Sequence, residues 1–334
     1  MPLVLPTIHL MLSPATLTSQ GSDRTELVRY SPLRSGNERL TGEQLIEALP
    51  ELGQFAHVRV DPKNPHENAT LQDILKLARH ASRILADRHV DGLVLVHGTN
   101  GLEETAYFLH LTLKTDKPVI VTGAQRPFTA LSSDGPMNLI DAFRVAACDK
   151  VRGLGVLVVA NNQIHTARDV SKTSTYRLHT FQSRTHGPLG DLDADGLHLY
   201  RAPVRQHTMQ SAFNIGAIDA LPRVDILYVH AGARPDLVAA VLERGAKGIV
   251  VAGVGGGATG ALRQELAAAA KAGAAVVVRS SRVGEGRVIR DDNWQEPGMI
   301  AADNLSPHKA AILLAIAMTT TRDPDEIQQL FVMH

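Results

Sequence analysis

Continuous apolar runs alternate with helical segments along most of this 334-residue chain, and this alternation limits the possible folds more than any other feature. Strands of continuous β-branched residues are typical of a parallel sheet that helices cover on both faces. The sequence therefore predicts an α/β protein. The predicted elements of its first part are strands Thr7–Leu12, Gly92–Val96, Val119–Thr122 and Gly155–Val159, and helices Thr41–Leu49, Leu71–Asp87, Glu103–Leu113 and Asn138–Ala147.

The pattern also predicts two domains. We expect a larger N-terminal catalytic domain at 1–203, with a mostly parallel sheet and flanking helices. The segment 204–222 is polar and poorly periodic, which favours a linker. A smaller C-terminal α/β domain is expected at 223–334, where the predicted elements are Ile226–His230, Asp236–Glu243, Gly248–Ala252, Ala261–Ala272, Ala275–Arg279 and Pro307–Thr320.

Charge and composition exclude several function classes. Lys+Arg and Asp+Glu both number 34, so the net charge is zero and nothing favours binding to nucleic acid or to an anionic membrane. The single cysteine, Cys148, rules out a disulfide within the chain. No apolar run is long enough for a membrane helix, and the N-terminus lacks a basic region, so we expect a cytoplasmic protein. The 15 histidines show no tight zinc-ligand spacing, and no metal site is expected.

The most polar strand end in the sequence is His97–Asn100, directly after the predicted strand Gly92–Val96. Open parallel sheets bind ligands at the carboxyl ends of their strands. Backbone N–H groups at such a turn can stabilise an oxyanion, which would make this a catalytic site. The alternative is a helix start with Thr99 or Asn100 as the N-cap, and spacing alone does not separate the two interpretations.

Two further polar segments are candidate site components. Arg168–Thr175 holds Lys172 among hydroxyl groups, and a lysine whose pKa is depressed by burial can act as a base. A solvated loop is the alternative for this segment. The long loop formed by Thr122–Pro127 and Ser132–Asn138 has a length typical of functional loops. The glycine run Gly253–Gly257 lacks the Gly-Lys-Ser/Thr ending of a phosphate-binding loop and favours a close backbone turn.

Six blocks of the sequence resemble the bacterial-type L-asparaginase family, and together they span nearly the whole chain. The resemblance implies two α/β domains, a homotetramer built from tight dimers, and active sites at a subunit interface. It also implies hydrolysis of a small amide substrate without a metal or organic cofactor. The blocks are His97–Leu109, Val121–Pro127, Ser133–Leu139, Ala167–Thr175, Val277–Val283 and Leu305–Ala310.

The resemblance also implies roles for individual residues. Thr16 and Thr99 match the two threonines that serve the chemistry, and Lys172 matches the lysine that assists them. Tyr30 matches a mobile-loop tyrosine that orients the first threonine. Ala124 matches the position where a backbone carbonyl meets the amide leaving group.

The sequence departs from the family at the first threonine and at the acid that follows the second. Pro14 and Ala15 replace two glycines before Thr16, which predicts a turn of different shape because proline fixes φ and alanine disfavours positive φ. Asn100 replaces the acid that holds the α-ammonium group of the substrate and supports the lysine. Backbone N–H groups near Gly98 are expected to stabilise the oxyanion.

The remaining departures fall on residues expected to bind the substrate. Pro62 replaces a serine that receives the substrate carboxylate, and Lys63 offers a cation beside it. Ala258 takes the place of an asparagine that a partner subunit contributes. Asp291 is the candidate for the acid contributed by the partner subunit.

The amide-cleaving groups therefore persist, whereas the groups that hold an amino acid are largely replaced. We predict an asparaginase-like amidohydrolase whose threonine nucleophile acts on a small carboxamide other than free asparagine. One alternative is an ordinary L-asparaginase of reduced activity. The other is a non-catalytic binding protein of the same fold and oligomeric state, if Pro14–Ala15 turns Thr16 away from the pocket.

Overall fold

The computed structural model describes residues 5–63, 66–68, 70–290 and 298–334. The chain divides into two compact α/β units, Met1–Gln210 and Ser211–His334. The division falls inside the segment 204–222.

An eight-stranded sheet forms the centre of the first unit, in the order β10-β9-β6-β5-β4-β3-β1-β2. Strands β2, β1, β3, β4 and β5 run parallel, and β6, β9 and β10 extend the sheet as antiparallel strands. A small hairpin, β7 with β8, lies outside the sheet. The strands are β1 (Thr7–Leu12), β2 (His57–Val60), β3 (Gly92–Val96), β4 (Val119–Thr122), β5 (Val156–Ala160), β6 (Gln163–Thr166), β7 (Ser171–Lys172), β8 (Phe181–Gln182), β9 (Gly190–Asp193) and β10 (Gly196–Leu199).

In the described residues, the first unit has five α-helices, and two of them begin at a capping box. Thr41 accepts from the Gln44 backbone while the Gln44 side chain accepts from the Thr41 backbone, which confirms the predicted start of that helix. Thr70 and Asp73 form the same arrangement at the start of the longest helix. The helices are α1 (Pro32–Ser35), α2 (Gly42–Ala48), α3 (Leu71–Ala86), α4 (Leu102–Thr112) and α5 (Gly135–Ala146).

A buried apolar layer lies on one face of the central strands. Ile8 and Leu10 from β1 pack with Val94 from β3, Leu45 from α2 and Phe143 from α5, and all five are fully buried. The strands β3, β4 and β5 are buried along their whole length, because the sheet is covered on both faces.

The second unit has a four-stranded parallel sheet in the order β11-β12-β13-β14. Its own apolar cluster includes Ile249, Val251, Leu266 and Val277. The elements are β11 (Val224–Tyr228), α6 (Asp236–Glu243), β12 (Gly248–Gly253), α7 (Arg263–Lys271), β13 (Val276–Ser281), β14 (Ile300–Ala301), α8 (Pro307–Ala317) and α9 (Pro324–Met333).

The α/β class and the mostly parallel sheet are confirmed. The helix predicted at Asn138–Ala147 begins earlier, at Gly135, because Pro136 suits a first-turn position of a helix. The pattern did not predict β2, whose residues are only partly buried, or the short antiparallel strands. Within the described residues, no helix has the length and apolar character needed to cross a membrane.

Candidate active site

Three neighbouring parallel strands, β1, β3 and β4, end at the same edge of the first sheet. Leu12 pairs with Val96, and Val96 pairs with Thr122, so the three chains leave the sheet side by side. The loop after β1 carries Thr16, and the loop after β3 carries Thr99. The predicted site therefore lies where an open parallel sheet is expected to bind its ligand.

The loops at this edge approach one another so closely that two positions have no room for a side chain. A Cβ atom on Gly98 would lie 2.7 Å from the carbonyl oxygen of Pro14. A Cβ atom on Gly123 would lie 2.6 Å from the carbonyl oxygen of His97. The backbone around Thr99 is thus held between the loops that follow β1 and β4.

Thr99 and Lys172 are in direct contact. The Lys172 Nζ donates to the Thr99 hydroxyl at 2.8 Å and to the Asn100 Oδ1 at 3.2 Å. Thr99 is buried, with 6% of its surface exposed. The N-cap of α4 is Gly101, so the interpretation of Thr99 or Asn100 as the helix cap is wrong.

Glu103 also contacts Lys172, and the sequence pattern did not indicate this residue. Its Oε1 accepts from the backbone N–H of Lys172 at 2.9 Å, and Glu103 is buried in the first turn of α4. Burial lowers the pKa of Lys172 below its usual range, although the Glu103 carboxylate acts to raise it. A lysine with a lowered pKa is more readily neutral, as a general base requires. The burial and contacts of Lys172 therefore favour a site role for Arg168–Thr175 over a solvated loop.

Thr16 begins a short 3-10 turn directly after β1, and its hydroxyl donates to the Tyr30 hydroxyl at 3.3 Å. Ala15 has extended backbone, with φ −143°, so alanine fits there without strain. The Ala15 carbonyl accepts from the hydroxyls of Thr18 and Ser19, which fixes the turn. The structure thus brings together Thr16 with Tyr30, and Thr99 with Lys172 and Asn100.

His97 anchors the strand end that carries Thr99. Its Nδ1 lies 2.8 Å from the carbonyl oxygen of Gly98, which can only accept, so Nδ1 carries the hydrogen. Its Nε2 then accepts from the Thr105 hydroxyl at 2.9 Å and from the Asn68 amide at 3.0 Å. Burial lowers the pKa of His97 to about 4, so the ring is neutral at neutral pH. His97 opens the family block, but its partner Asn68 gave no sequence signal.

The loop after β4 is fixed by Asp134. Its carboxylate accepts from the backbone N–H groups of Gln125 and Arg126, both at 2.9 Å. Ala124 lies beside them and is buried. Asn138 donates to the carbonyl oxygen of Gly123 at 2.9 Å. The peptide groups around Ala124 are therefore held rigidly next to the Thr99 loop.

Pro62 and Lys63 follow β2, which is parallel to β1, so they lie at the same edge of the sheet. Both are exposed. Ala258 belongs to the second unit, where its carbonyl accepts from the Val254 backbone and closes the glycine run into a tight turn. Asp291 lies outside the described residues.

Comparison with known proteins identifies the family. Residues 7–205 match the family described as "Asparaginase, N-terminal", and residues 223–331 match the "Glutaminase/Asparaginase C-terminal domain". The chain is 39% identical to L-asparaginase 2 of Bacillus subtilis over 329 residues, covering 98% of this chain and 86% of the relative. It is 39% identical over 331 residues to a probable periplasmic L-asparaginase of Haemophilus influenzae, with 98% and 93% coverage.

A solved structure agrees with these relatives. The probable cytoplasmic L-asparaginase from Campylobacter jejuni superposes with a TM-score of 0.91 at 34% identity, covering 98% of this chain and all of that one. The chain therefore belongs to the asparaginase family. It is an amidohydrolase, a hydrolase that acts on amide C–N bonds.

We expect Gly98→Ala to reduce kcat/KM by about 100-fold, because displacement of a reacting group by about 1 Å costs that much. The added methyl group must push the Pro14 backbone away from the Thr99 loop. Gly101→Ala is the matched control, since the nearest atom to its new Cβ is a His97 ring carbon at 3.7 Å, an ordinary contact. Amide hydrolysis and thermal unfolding of both variants check this, and full activity in Gly98→Ala would contradict it.

Proposed function

We propose that this protein hydrolyses a small carboxamide through a threonine nucleophile, and that free asparagine is not its preferred substrate. The contact of the Lys172 Nζ with the Thr99 hydroxyl carries the proposal. This contact supplies a base and a hydroxyl at the edge of the sheet where the loop that carries Thr16 also begins. Asn100 beside them supports the altered preference.

The first step is attack of the Thr16 oxygen on the carbonyl carbon of the amide. Tyr30 orients the Thr16 hydroxyl, and backbone N–H groups near Gly98 and Thr99 stabilise the oxyanion. The proton lost by Thr16 passes to the leaving nitrogen, so ammonia or an amine departs and an ester to Thr16 remains. The C–O bond forms first to give the tetrahedral oxyanion, and the C–N bond breaks when that intermediate collapses.

The second step is hydrolysis of that ester. The Thr99 hydroxyl passes its proton to neutral Lys172 and takes one from water, and the hydroxide attacks the acyl carbon. The protonated Lys172 later returns this proton through Thr99. The ester bond breaks, Thr16 regains a proton, and the carboxylic acid product leaves. The net reaction consumes one amide and one water and yields one acid and one ammonia or amine.

Asn100 selects the substrate group that can bind beside Thr99. Lysine is only a donor when charged, so the carbonyl end of the Asn100 amide faces Lys172 and its NH2 end is left for the ligand. An NH2 group is a poor partner for an α-ammonium group, which also donates. We therefore expect a substrate that lacks the α-ammonium group or carries it in acylated form.

The residues after β2 support the same preference. Pro62 has no hydroxyl to donate to a substrate carboxylate. Lys63 is exposed at the same edge of the sheet and supplies a cation for that carboxylate. The expected substrate is thus an amide that retains an acidic group, such as succinamate or maleamate.

We expect Thr99→Val and Lys172→Met each to abolish amide hydrolysis, because each removes one member of the pair that activates water. Lys150→Met is the control, since Lys150 is an exposed lysine outside the site. Single-turnover and steady-state assays should show loss of at least about 100-fold in both site variants, the scale expected of general base catalysis. Retained turnover in either variant would refute the role given to that residue.

A screen of ammonia release tests the substrate preference. Asparagine, glutamine, succinamate, maleamate and N-substituted amides are compared by kcat/KM, and we expect the amides without a free α-ammonium group to be preferred. Asparagine turnover equal to that of the Bacillus subtilis relative would show an ordinary L-asparaginase. Absence of any turnover, with Thr16 unreactive towards electrophilic amide analogues, would favour the non-catalytic alternative.

We expect Asn100→Asp to raise kcat/KM for asparagine by roughly 10- to 100-fold, because a charge-assisted bond to the α-ammonium group is worth about 1.5–3 kcal/mol. The new carboxylate also raises the pKa of Lys172, so the rising limb of the pH–rate profile should move to higher pH. Asn214→Asp is the control, since aspartate preserves its capping of Gly216. Unchanged asparagine kinetics and an unmoved pH limb in Asn100→Asp would contradict the assignment.

We also propose a homotetramer of tight dimers, with Ala258 and Asp291 contributing to a neighbouring subunit's site, and a cytoplasmic location. The family resemblance supports the tetramer. The name of the Campylobacter jejuni relative, a probable cytoplasmic L-asparaginase, supports the location, although the Haemophilus influenzae relative is named periplasmic. Light scattering after size-exclusion chromatography should give a mass equal to four chains of 35.9 kDa each. A monomer with full activity would refute a site shared between subunits.

A further inference from the structure

A cluster of one carboxylate and two imidazoles lies between the sheet and α3, outside the groups that cleave the amide. The Asp61 Oδ2 lies 2.5 Å from the His66 Nε2 and 2.9 Å from the His80 Nε2. The Asp61 side chain is 1% exposed, and those of His66 and His80 are 12% and 14% exposed. Two imidazole nitrogens thus converge on one buried oxygen.

Backbone hydrogen bonds to β1 hold two members of this cluster, and a helix holds the third. The Asp61 N–H donates to the carbonyl oxygen of Leu10, and the His66 N–H donates to that of Leu12, so both are tied to β1. His80 stands on α3, the longest helix of the first unit. The second carboxylate oxygen of Asp61 accepts from the Lys63 N–H at 3.1 Å, which orients the carboxylate as outer partners of metal ligands do.

His9 adds an unsatisfied imidazole on the same face of the sheet. It pairs with Arg59 in the register of β1 and β2, two residues before Asp61, so His9 and Asp61 point to the same side. Both ring nitrogens of His9 are buried, and within the described residues neither has a hydrogen-bond partner. The cluster therefore has more imidazole nitrogens beside it than its hydrogen bonds use.

We propose that Asp61, His66 and His80 bind a zinc ion. The three ligand atoms lie within 4.8 Å of one another. Tetrahedral zinc with bonds near 2.0–2.1 Å places its ligand atoms about 3.3 Å apart. The two Asp61–histidine distances must therefore lengthen by about 0.4–0.8 Å, and the two histidine nitrogens, which lie within 4.8 Å of each other, must reach the same spacing. A site of two histidines and one carboxylate leaves the fourth position to water.

The chemistry of these ligands selects the ion. Imidazole nitrogen suits zinc and similar transition metals, whereas magnesium and calcium prefer oxygen ligands. The ion takes no part in amide hydrolysis, since Thr99 and Lys172 supply those groups. The ion would instead hold Lys63 and Asn68 in place. Asn68 donates to His97, at the start of the loop that carries Thr99.

Arg83 opposes zinc binding and gives the proposal a distinctive signature. Its Nη2 donates to the His80 Nδ1 at 3.3 Å, so without the ion the hydrogen of His80 is on Nε2. Zinc needs the lone pair of Nε2, so the hydrogen must move to Nδ1 and the contact with Arg83 must break. Arg83 is exposed and can swing into solvent.

The test uses the full chain without a histidine tag, stripped with a chelator and titrated with zinc by calorimetry and thermal unfolding. We expect one zinc per chain and a rise in Tm of roughly 5–10 °C at a free concentration about 100 times Kd. Magnesium should give no rise. Cobalt should give the visible absorption of a tetrahedral ion in a site with nitrogen ligands.

Variants separate this site from other histidines. His66→Gln and His80→Gln should each weaken zinc binding by about 10-fold or more, and Arg83→Ala should strengthen it. His198→Gln is the matched control, because His198 belongs to the only other carboxylate–histidine cluster in the described residues, an exposed one with Asp193 and Asp195. Absence of zinc binding at micromolar concentrations, or loss of binding in His198→Gln alone, would overturn the proposal and leave a purely hydrogen-bonded cluster.

Discussion

The close approach of three chain segments at one edge of the parallel sheet determines the rest of the site. The strands β1, β3 and β4 end side by side, and the loops that follow them touch through backbone atoms at Gly98 and Gly123. Contact between backbones leaves little freedom, because there is no flexible side chain that could yield. Thr99 is consequently held in one position, with Lys172 against its hydroxyl.

Burial shifts the pKa of two basic groups at this edge in the same direction, with different consequences. Both Lys172 and His97 lose hydration, so the neutral form of each is favoured. His97 is saturated by hydrogen bonds to Gly98, Thr105 and Asn68, so its neutral ring acts as a fixed link in the structure. Lys172 instead contacts a hydroxyl that can react, so the same physical effect there yields a candidate base.

The groups proposed to cleave the amide and the groups proposed to recognise the substrate differ in burial. Thr99 is buried, and Thr16, in a short 3-10 turn, and Lys172, in β7, are half-buried. Pro62, Lys63 and Asn100 are exposed around them, where a substitution changes recognition without disturbing the core. Under the proposed function, this difference in burial lets the chain keep the fold and the amide-cleaving groups of its family while the amide that it accepts changes.

The proposed zinc ligands show what spacing along the chain does not reveal. Asp61, His66 and His80 are separated by 5 and 14 residues, which fits no usual zinc motif. They meet because Asp61, directly after β2, lies within hydrogen-bond distance of His80 on α3. Contacts of this kind depend on how helices pack on sheets, and local sequence contains no record of them.

The sequence by itself determined the α/β class, the positions of most helices and strands, and the candidates Thr16, Thr99 and Lys172. Hydrophobic periodicity and capping residues act over a few neighbours, and the family blocks are continuous in the chain, so both are visible without a structure. Tertiary structure alone decided that Gly101 caps α4, that Glu103 and Asn68 support the site, and that Ala15 fits before Thr16. Those outcomes depend on close contacts between distant segments and on burial, which exist only once the sheet has formed.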